Sequence, residues 1–288
     1  MILLESWTDK ILRPILEDMQ NGVGEVFGLS LNSVTSTLEV FNNPIWKHVG
    51  TIATALTEGG ALVILLILSC IDLTGKLLAV DGDGEARFRM FVGAGVKFGI
   101  LWVAFKATRF LLGGIYHFFN NLAVATRHLI EESKPQGGDI TPFLDSVKDL
   151  DWLGQTVLVV LMLLAWLVYR GACLAGIALV LMRFIKLYIY NSFSPVPMAL
   201  LSSEHSRSFG INFIRTYAAT ALQAFVIVMA VGIFQLLSAS WGADAIPSLD
   251  DGGVAAAFSL GGMYIFMGIV LGMLLLGSGR IANELLGG

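Results

Sequence analysis

Charged side chains are scarce in this sequence: 14% of its 288 residues are Asp, Glu, Lys or Arg, against roughly 25% in ordinary soluble domains. A soluble fold of this size needs a large polar exterior, which so few charges cannot supply. There is no basic excess either. The formal net charge is -4, which excludes the global footprint of a soluble nucleic-acid binder. Cysteine is limited to Cys70 and Cys173. Both fall inside long apolar runs, far from any CxxC or Cys/His spacing, so they read as lipid- or core-facing thiols. The four histidines, His48, His117, His128 and His205, are scattered and suggest no metal site. A nucleotide-binding P-loop, HExxH, GxSxG and paired intramembrane carboxylates are all missing. A pump would show a motor or an intramembrane acid relay. The expectation is a chain without catalytic residues, cofactor or metal.

What the sequence has in abundance is apolar length. It is 56% hydrophobic, with a mean hydropathy of +0.76. A membrane span needs roughly 20 mostly apolar residues to cross roughly 30 Å of hydrocarbon. Five stretches qualify, at about 52–76, 89–115, 152–190, 211–238 and 254–277. The third is unusually long. Arg170, Arg183 and Lys186 would make its second half a costly separate span, so one long helix is expected. Ser194-Pro195-Val196-Pro197 should then break it, because proline lacks the N–H and restricts the residue before it. The expected fold class is an all-α, polytopic transmembrane protein with about five spans.

The expected organisation has five parts. Residues 1–50 form an N-terminal amphipathic, extracytoplasmic segment, and 51–116 carry spans one and two. Residues 117–151, too polar to cross, form an extracytoplasmic loop subdomain. Residues 152–201 are the long helix and its break, and 202–288 carry spans four and five with a short cytoplasmic tail. Near the start, Leu4, Trp7, Ile11, Leu12, Ile15 and Met19 recur at helical spacing. Glu5, Asp9, Lys10 and Arg13 interrupt what a signal peptide would keep apolar. The pattern fits an amphipathic helix lying on the membrane surface. The acids of Asp81-Gly82-Asp83-Gly84-Glu85 alternate like a calcium loop, but Val92 stands where the bidentate Glu belongs.

Charge placement sets the expected orientation. Lys76, Arg87 and Arg89 mark the first connection as cytoplasmic, and Arg183, Lys186, Arg207 and Arg215 mark the region around the proline break likewise. The acidic loop with Asp244, Asp250 and Asp251 goes outside. The N-terminus is then outside and the C-terminus inside. Two small-residue faces suit close helix packing, Gly95 with Gly99, and Gly261 with Gly268 and Gly272.

The embedded cations are the sharpest functional signal. Lys97, Lys106, Arg109 and Arg170 lie within expected spans, and Arg183 and Lys186 lie near the inner boundary. Glu58 and Asp72 are the only acids at comparable depth. Each embedded charge costs at least a few kcal/mol unless paired or hydrated. Snorkelling to headgroups is one resolution. A wet interior or subunit interface that meets anionic lipid or nucleic-acid phosphate is the other. Neither Lys97 nor Arg170 has a carboxylate at helical spacing, so any partner comes from another helix, another subunit, lipid or water.

Several segments together carry a resemblance. They are Phe41-Asn42-Asn43-Pro44-Ile45-Trp46, the run from Arg183 to Pro197, Asn212-Phe213-Ile214-Arg215, Gln223-Ala224-Phe225 and Ser278-Gly279-Arg280-Ile281-Ala282. In their order and spacing the chain resembles the TrbL/VirB-type polytopic membrane components of type IV secretion systems, of the kind carried by Gram-positive conjugative elements. The resemblance implies several spans, an outside N-terminus, no enzymatic activity and a place in the membrane channel of a DNA-transfer machine. The implied partners are separate ATPases and other secretion subunits, further copies of the chain, membrane lipids and transferred single-stranded DNA. Some family members have a large C-terminal soluble extension that this sequence does not show. The alternatives are a small-molecule or ion transporter and a purely structural membrane anchor. A transporter should show related halves or broken helices around a midplane site, and no internal repeat is visible.

Overall fold

The computed structural model describes residues 2–20, 31–78, 84–132, 144, 147, 148, 150–244 and 253–287. The side chains of 2–6, 19, 20, 31, 32, 237–244, 253–257 and 259–261 are not among those described. The Asp81–Asp83 turn, the acids Asp250 and Asp251, and the surroundings of Gly261 therefore lie outside the described residues.

The described elements are helical, without a β-strand among them. They are α1 (Ile2–Gln20), α2 (Leu38–Phe41), α3 (Asn43–Leu56), α4 (Leu62–Leu78), α5 (Gly84–Lys106), α6 (Thr108–Glu132), α7 (Trp152–Phe193), α8 (Pro195–Leu200), α9 (Arg207–Asp244) and α10 (Gly253–Leu285). Five stretches are long and apolar enough to cross a membrane: Asn43–Leu78, Gly84–Lys106, Trp152–Phe193, Arg207–Leu236 and Gly262–Leu285. In hydrocarbon every backbone group must be satisfied within its own segment, so runs of this composition have no other choice than helix.

Local chemistry moves some boundaries from where hydropathy puts them. The first span begins at Asn43, because the Asn42 side chain accepts from the Ile45 N–H (3.1 Å) and Pro44 stands in the opening turn. Inside it, Thr57–Ala61 forms a π-helical turn joining α3 to α4. The second span ends at Lys106, earlier than residue 115. Just beyond it, Thr108 Oγ1 donates to the carbonyls of Phe105 (2.7 Å) and Ala104 (3.3 Å). Arg109 thus sits in the first turn of α6, outside the span in which it was expected. The polar stretch from Asn120 is helical as far as Glu132.

Helix α7 runs unbroken for 42 residues, about 63 Å at the α-helical rise. It stops at Phe193, and α8 starts at Pro195. Pro195 and Pro197 both fall in the first turn of α8, where a missing N–H removes no helical bond. Space is tight here. A Cβ on Gly210 would stand 2.7 Å from the Pro197 carbonyl oxygen, so only glycine fits at the start of α9.

The chain divides into two compact units. The first comprises Met1–Thr35, Leu122–Leu181 and Ala224–Ile281. Its core joins Leu12 and Leu16 of α1 to Leu158, Val159 and Met162 of α7, with Leu144, Val147 and Leu150 beside them. The apolar face of α1 therefore meets protein, while Lys10, Arg13 and Glu17 stay exposed. Helix α10 approaches α7 through glycine. A Cβ on Gly268 would lie 3.2 Å from the Tyr169 backbone nitrogen, and one on Gly272 would lie 3.6 Å from the Ala172 methyl.

The second unit comprises Ser36–Asn121, Met182–Gln223 and Ala282–Gly288. Its core packs Ala61 and Leu65 against Phe105 and the α8 residues Met198 and Ala199. Gly95 and Gly99 differ from Gly268 and Gly272: among the described residues nothing stands within 4 Å of where their Cβ atoms would be. The same small-residue pattern is packed in one helix and open in the other.

Candidate functional site

The six cations singled out by the sequence resolve into separate local arrangements. Arg170 belongs to the first unit, and Lys97, Lys106, Arg109, Arg183 and Lys186 belong to the second.

Arg183 occupies the most enclosed position. Its side chain is the largest of those fully buried among the described residues, with 1% of the residue exposed. Nε donates to the Thr220 carbonyl oxygen (3.1 Å). The guanidinium carbon lies 5.6 Å from the centre of the Tyr116 ring and 5.2 Å from that of Phe184. A delocalised guanidinium is weakly hydrated, and the negative face of an aromatic ring attracts it, so arginine tolerates this setting better than lysine would. Burial pushes the Tyr116 phenol above its ordinary value, with Arg183 opposing. Tyr116 stays neutral and donates to the Ser36 carbonyl.

The elements around Arg183 are held by a polar and aromatic set. Phe41 stacks on Phe184 with ring centres 3.8 Å apart. Tyr188 Oη donates to the Leu38 carbonyl (2.7 Å). Asn191 Nδ2 donates to Tyr217 Oη (3.2 Å), and the rings of Tyr190 and Phe213 meet edge to face at 5.9 Å. The segments that carry the family resemblance before span one, along α7 and at the start of α9 thus touch one another inside one unit. No hydropathy signal could have shown this, because the partners are far apart in sequence.

Lys97 lies within a cluster of four charges. Its Nζ donates to Asp72 Oδ2 (2.9 Å), and Lys76 reaches the same oxygen at 3.3 Å. Lys76 also pairs with Glu204 at 2.7 Å, just past α8. That hydrogen bond from Lys76 holds the Glu204 carboxylate below its ordinary value. Asp72 and Lys76 are one helical turn apart on α4, whereas Lys97 arrives from α5.

Arg170 finds a partner that the sequence reading did not consider. Its guanidinium pairs with Asp18 of α1, and the Trp166 indole donates to the other oxygen of that carboxylate (2.7 Å). Asp18 escaped notice because α1 was assigned to the membrane surface, where an acid needs no partner. Lys106 Nζ stands 5.4 Å from the Trp102 ring centre. The Arg109 guanidinium lies 5.0 Å from that of Trp46 and against Gly50, where a Cβ would come within 2.8 Å of it. Lys186 is exposed.

Lys97 and Arg170 are ion-paired, and Lys106, Arg109 and Arg183 lie over aromatic rings. Pairing and ring stacking are two of the means by which a cation is tolerated in or near hydrocarbon. With five apolar spans, the fold is that of an all-helical polytopic membrane protein. Comparison of the chain with family models, with characterised proteins and with solved structures gives no match.

Proposed function

We propose that this chain is a scaffold or channel subunit of a conjugative type IV secretion system, embedded in the cytoplasmic membrane, where it helps DNA and associated protein to cross. It acts as a homo-oligomer without catalysis of its own, and separate ATPases supply the energy. The observation that carries this reading is the meeting of Phe41 with Phe184, and of Tyr190 with Phe213. Three of the segments that resemble the TrbL/VirB-type components are packed together as a single structural element, which supports reading them as one shared feature. Local neutralisation of Lys97 and Arg170 favours the scaffolding side of the role over a row of free charge lining a pore.

The test is transfer itself. Deleting the gene in frame from a donor cell that carries the element abolishes conjugation, and supplying the chain in trans restores it. Undiminished transfer from the deletion strain overturns the proposal.

The proposed topology has the N-terminus outside and the C-terminus inside. Helix α1 enters from the outer interface, with Trp7 and Lys10 toward the headgroups, and runs inward along α7 to bring Asp18 to Arg170. In a background without Cys70 and Cys173, a cysteine placed at Ser248 is expected to react with a membrane-impermeant maleimide applied to whole cells. Labelling only after the cytoplasmic face is opened contradicts this orientation.

A further inference from the structure

Helices α4 and α5 do not close on each other along their whole length. Between them lies a cleft of about 450 Å³, within the roughly 300–1,000 Å³ typical of ligand sites. Its walls are apolar, with Leu66 and Leu73 on α4 and Phe91, Phe98 and Leu101 on α5. Asp72, Lys76 and Lys97 also line it, as does Ser202.

Ser202 is the unusual member. It is 1% exposed, yet its hydroxyl has no hydrogen-bond partner among the described residues. Ser69 also lines the cleft; the residue is half-buried, and its covered hydroxyl oxygen likewise has no partner among the described residues. A buried hydroxyl without a partner is unfavourable, so two of them at one cleft call for an acceptor from outside the chain.

We propose that this cleft binds one zwitterionic phospholipid, its phosphate on Lys97, Lys76 and Ser202, its ammonium on Asp72 and Glu204, and an acyl chain between α4 and α5.

Three features select this occupant. The first is charge balance. Two ammonium groups meet two carboxylates, linked at 2.9, 3.3 and 2.7 Å. An anionic headgroup would leave the site with a net negative charge, whereas a headgroup carrying both signs satisfies both pairs. The second is hydrogen bonding. Serine hydroxyls and lysine ammonium groups are donors, and a phosphate offers several strong acceptors, giving short charge-assisted bonds. The third is depth. The Asn43–Leu78 helix has 36 residues, about 54 Å at the α-helical rise and well beyond the roughly 30 Å of hydrocarbon. Asp72 and Lys76 lie near its end, where headgroups are met, while Leu66 lies deeper, where acyl chains are. The proposal does not depend on the secretion reading.

The experiment uses the full-length protein, reconstituted in nanodiscs of equal phosphatidylethanolamine and phosphatidylglycerol, released into detergent and weighed by native mass spectrometry. One phosphatidylethanolamine per chain is expected to remain, in preference to phosphatidylglycerol. Ser202→Ala is expected to weaken retention about fivefold and Lys97→Gln more than about tenfold, as loss of a neutral and of a charged donor implies. Should Lys97→Gln fail to fold, judged by its elution and helicity, Ser202→Ala carries the test alone, since it removes a single oxygen. Loss of all lipid from the wild type, preference for phosphatidylglycerol, or retention unchanged in Ser202→Ala each overturns the proposal. Cys70 also lines the cleft. Ready disulfide formation between the Cys70 residues of two chains in these nanodiscs would place a second copy there and likewise overturn it.

Discussion

Arg183→Ala is expected to destabilise the protein by about 3–5 kcal/mol, the range for deleting a large, fully enclosed side chain. Arg183 is buried more completely than any other charged residue named in the core. Alanine removes its volume, its place over the rings of Tyr116 and Phe184, and the donor to the Thr220 carbonyl at once. Little can collapse into the space, because Phe184 is already stacked on Phe41 and Tyr116 is tied to Ser36. Arg183→Lys should recover only part of the loss. An ammonium is a compact, strongly hydrated charge that cannot lie flat between two rings while also reaching the carbonyl. Unfolding in detergent, followed by circular dichroism as denaturant is added, reads both effects. A midpoint unchanged in Arg183→Ala would mean that the guanidinium is solvated rather than enclosed.

Asp18→Asn is expected to cost about 3 kcal/mol, because removing one member of a partly buried ion pair leaves the other uncompensated. Asn keeps the shape and can still accept from the Trp166 indole, so the loss isolates the charge on Arg170. The double substitution Asp18→Leu with Arg170→Leu should come within about 1 kcal/mol of the wild type, since replacing both charges with apolar groups removes their desolvation as well. A double-mutant cycle in the same unfolding assay gives the coupling. Additive single effects, with no recovery in the double variant, would show that Asp18 and Arg170 do not depend on each other.

These two residues mark where sequence reading reaches its end. Arg170 announced itself, since a cation deep in an apolar run is conspicuous by composition. Its partner did not, because Asp18 is 152 positions away on a helix whose period shows which face is apolar but not what covers it. Lys97 was nearer to being solved. Asp72 was already one of two acids at comparable depth, and the structure selects it over Glu58, which lies in the π-helical turn. Arg183 was legible as a boundary cation and not as a core residue, because the Tyr116 ring and the Thr220 carbonyl that enclose it come from stretches of chain far from it in sequence.

Apolar length by itself determined the helical class, the five spans and the single long third helix, because hydrocarbon offers no partner for an unpaired backbone group and leaves helix as the only local answer. It determined the stop before Pro195 for an equally local reason, the missing N–H of proline. Other outcomes rested on neighbours. The second span ends at Lys106, short of residue 115, a boundary that hydropathy does not register. Gly95 with Gly99 and Gly268 with Gly272 are the same pattern on paper, yet only the second pair has a helix against it. The tertiary structure alone decided which charge meets which, since pairing depends on where distant segments pack, and a sequence records spacing along the chain but not distance across it.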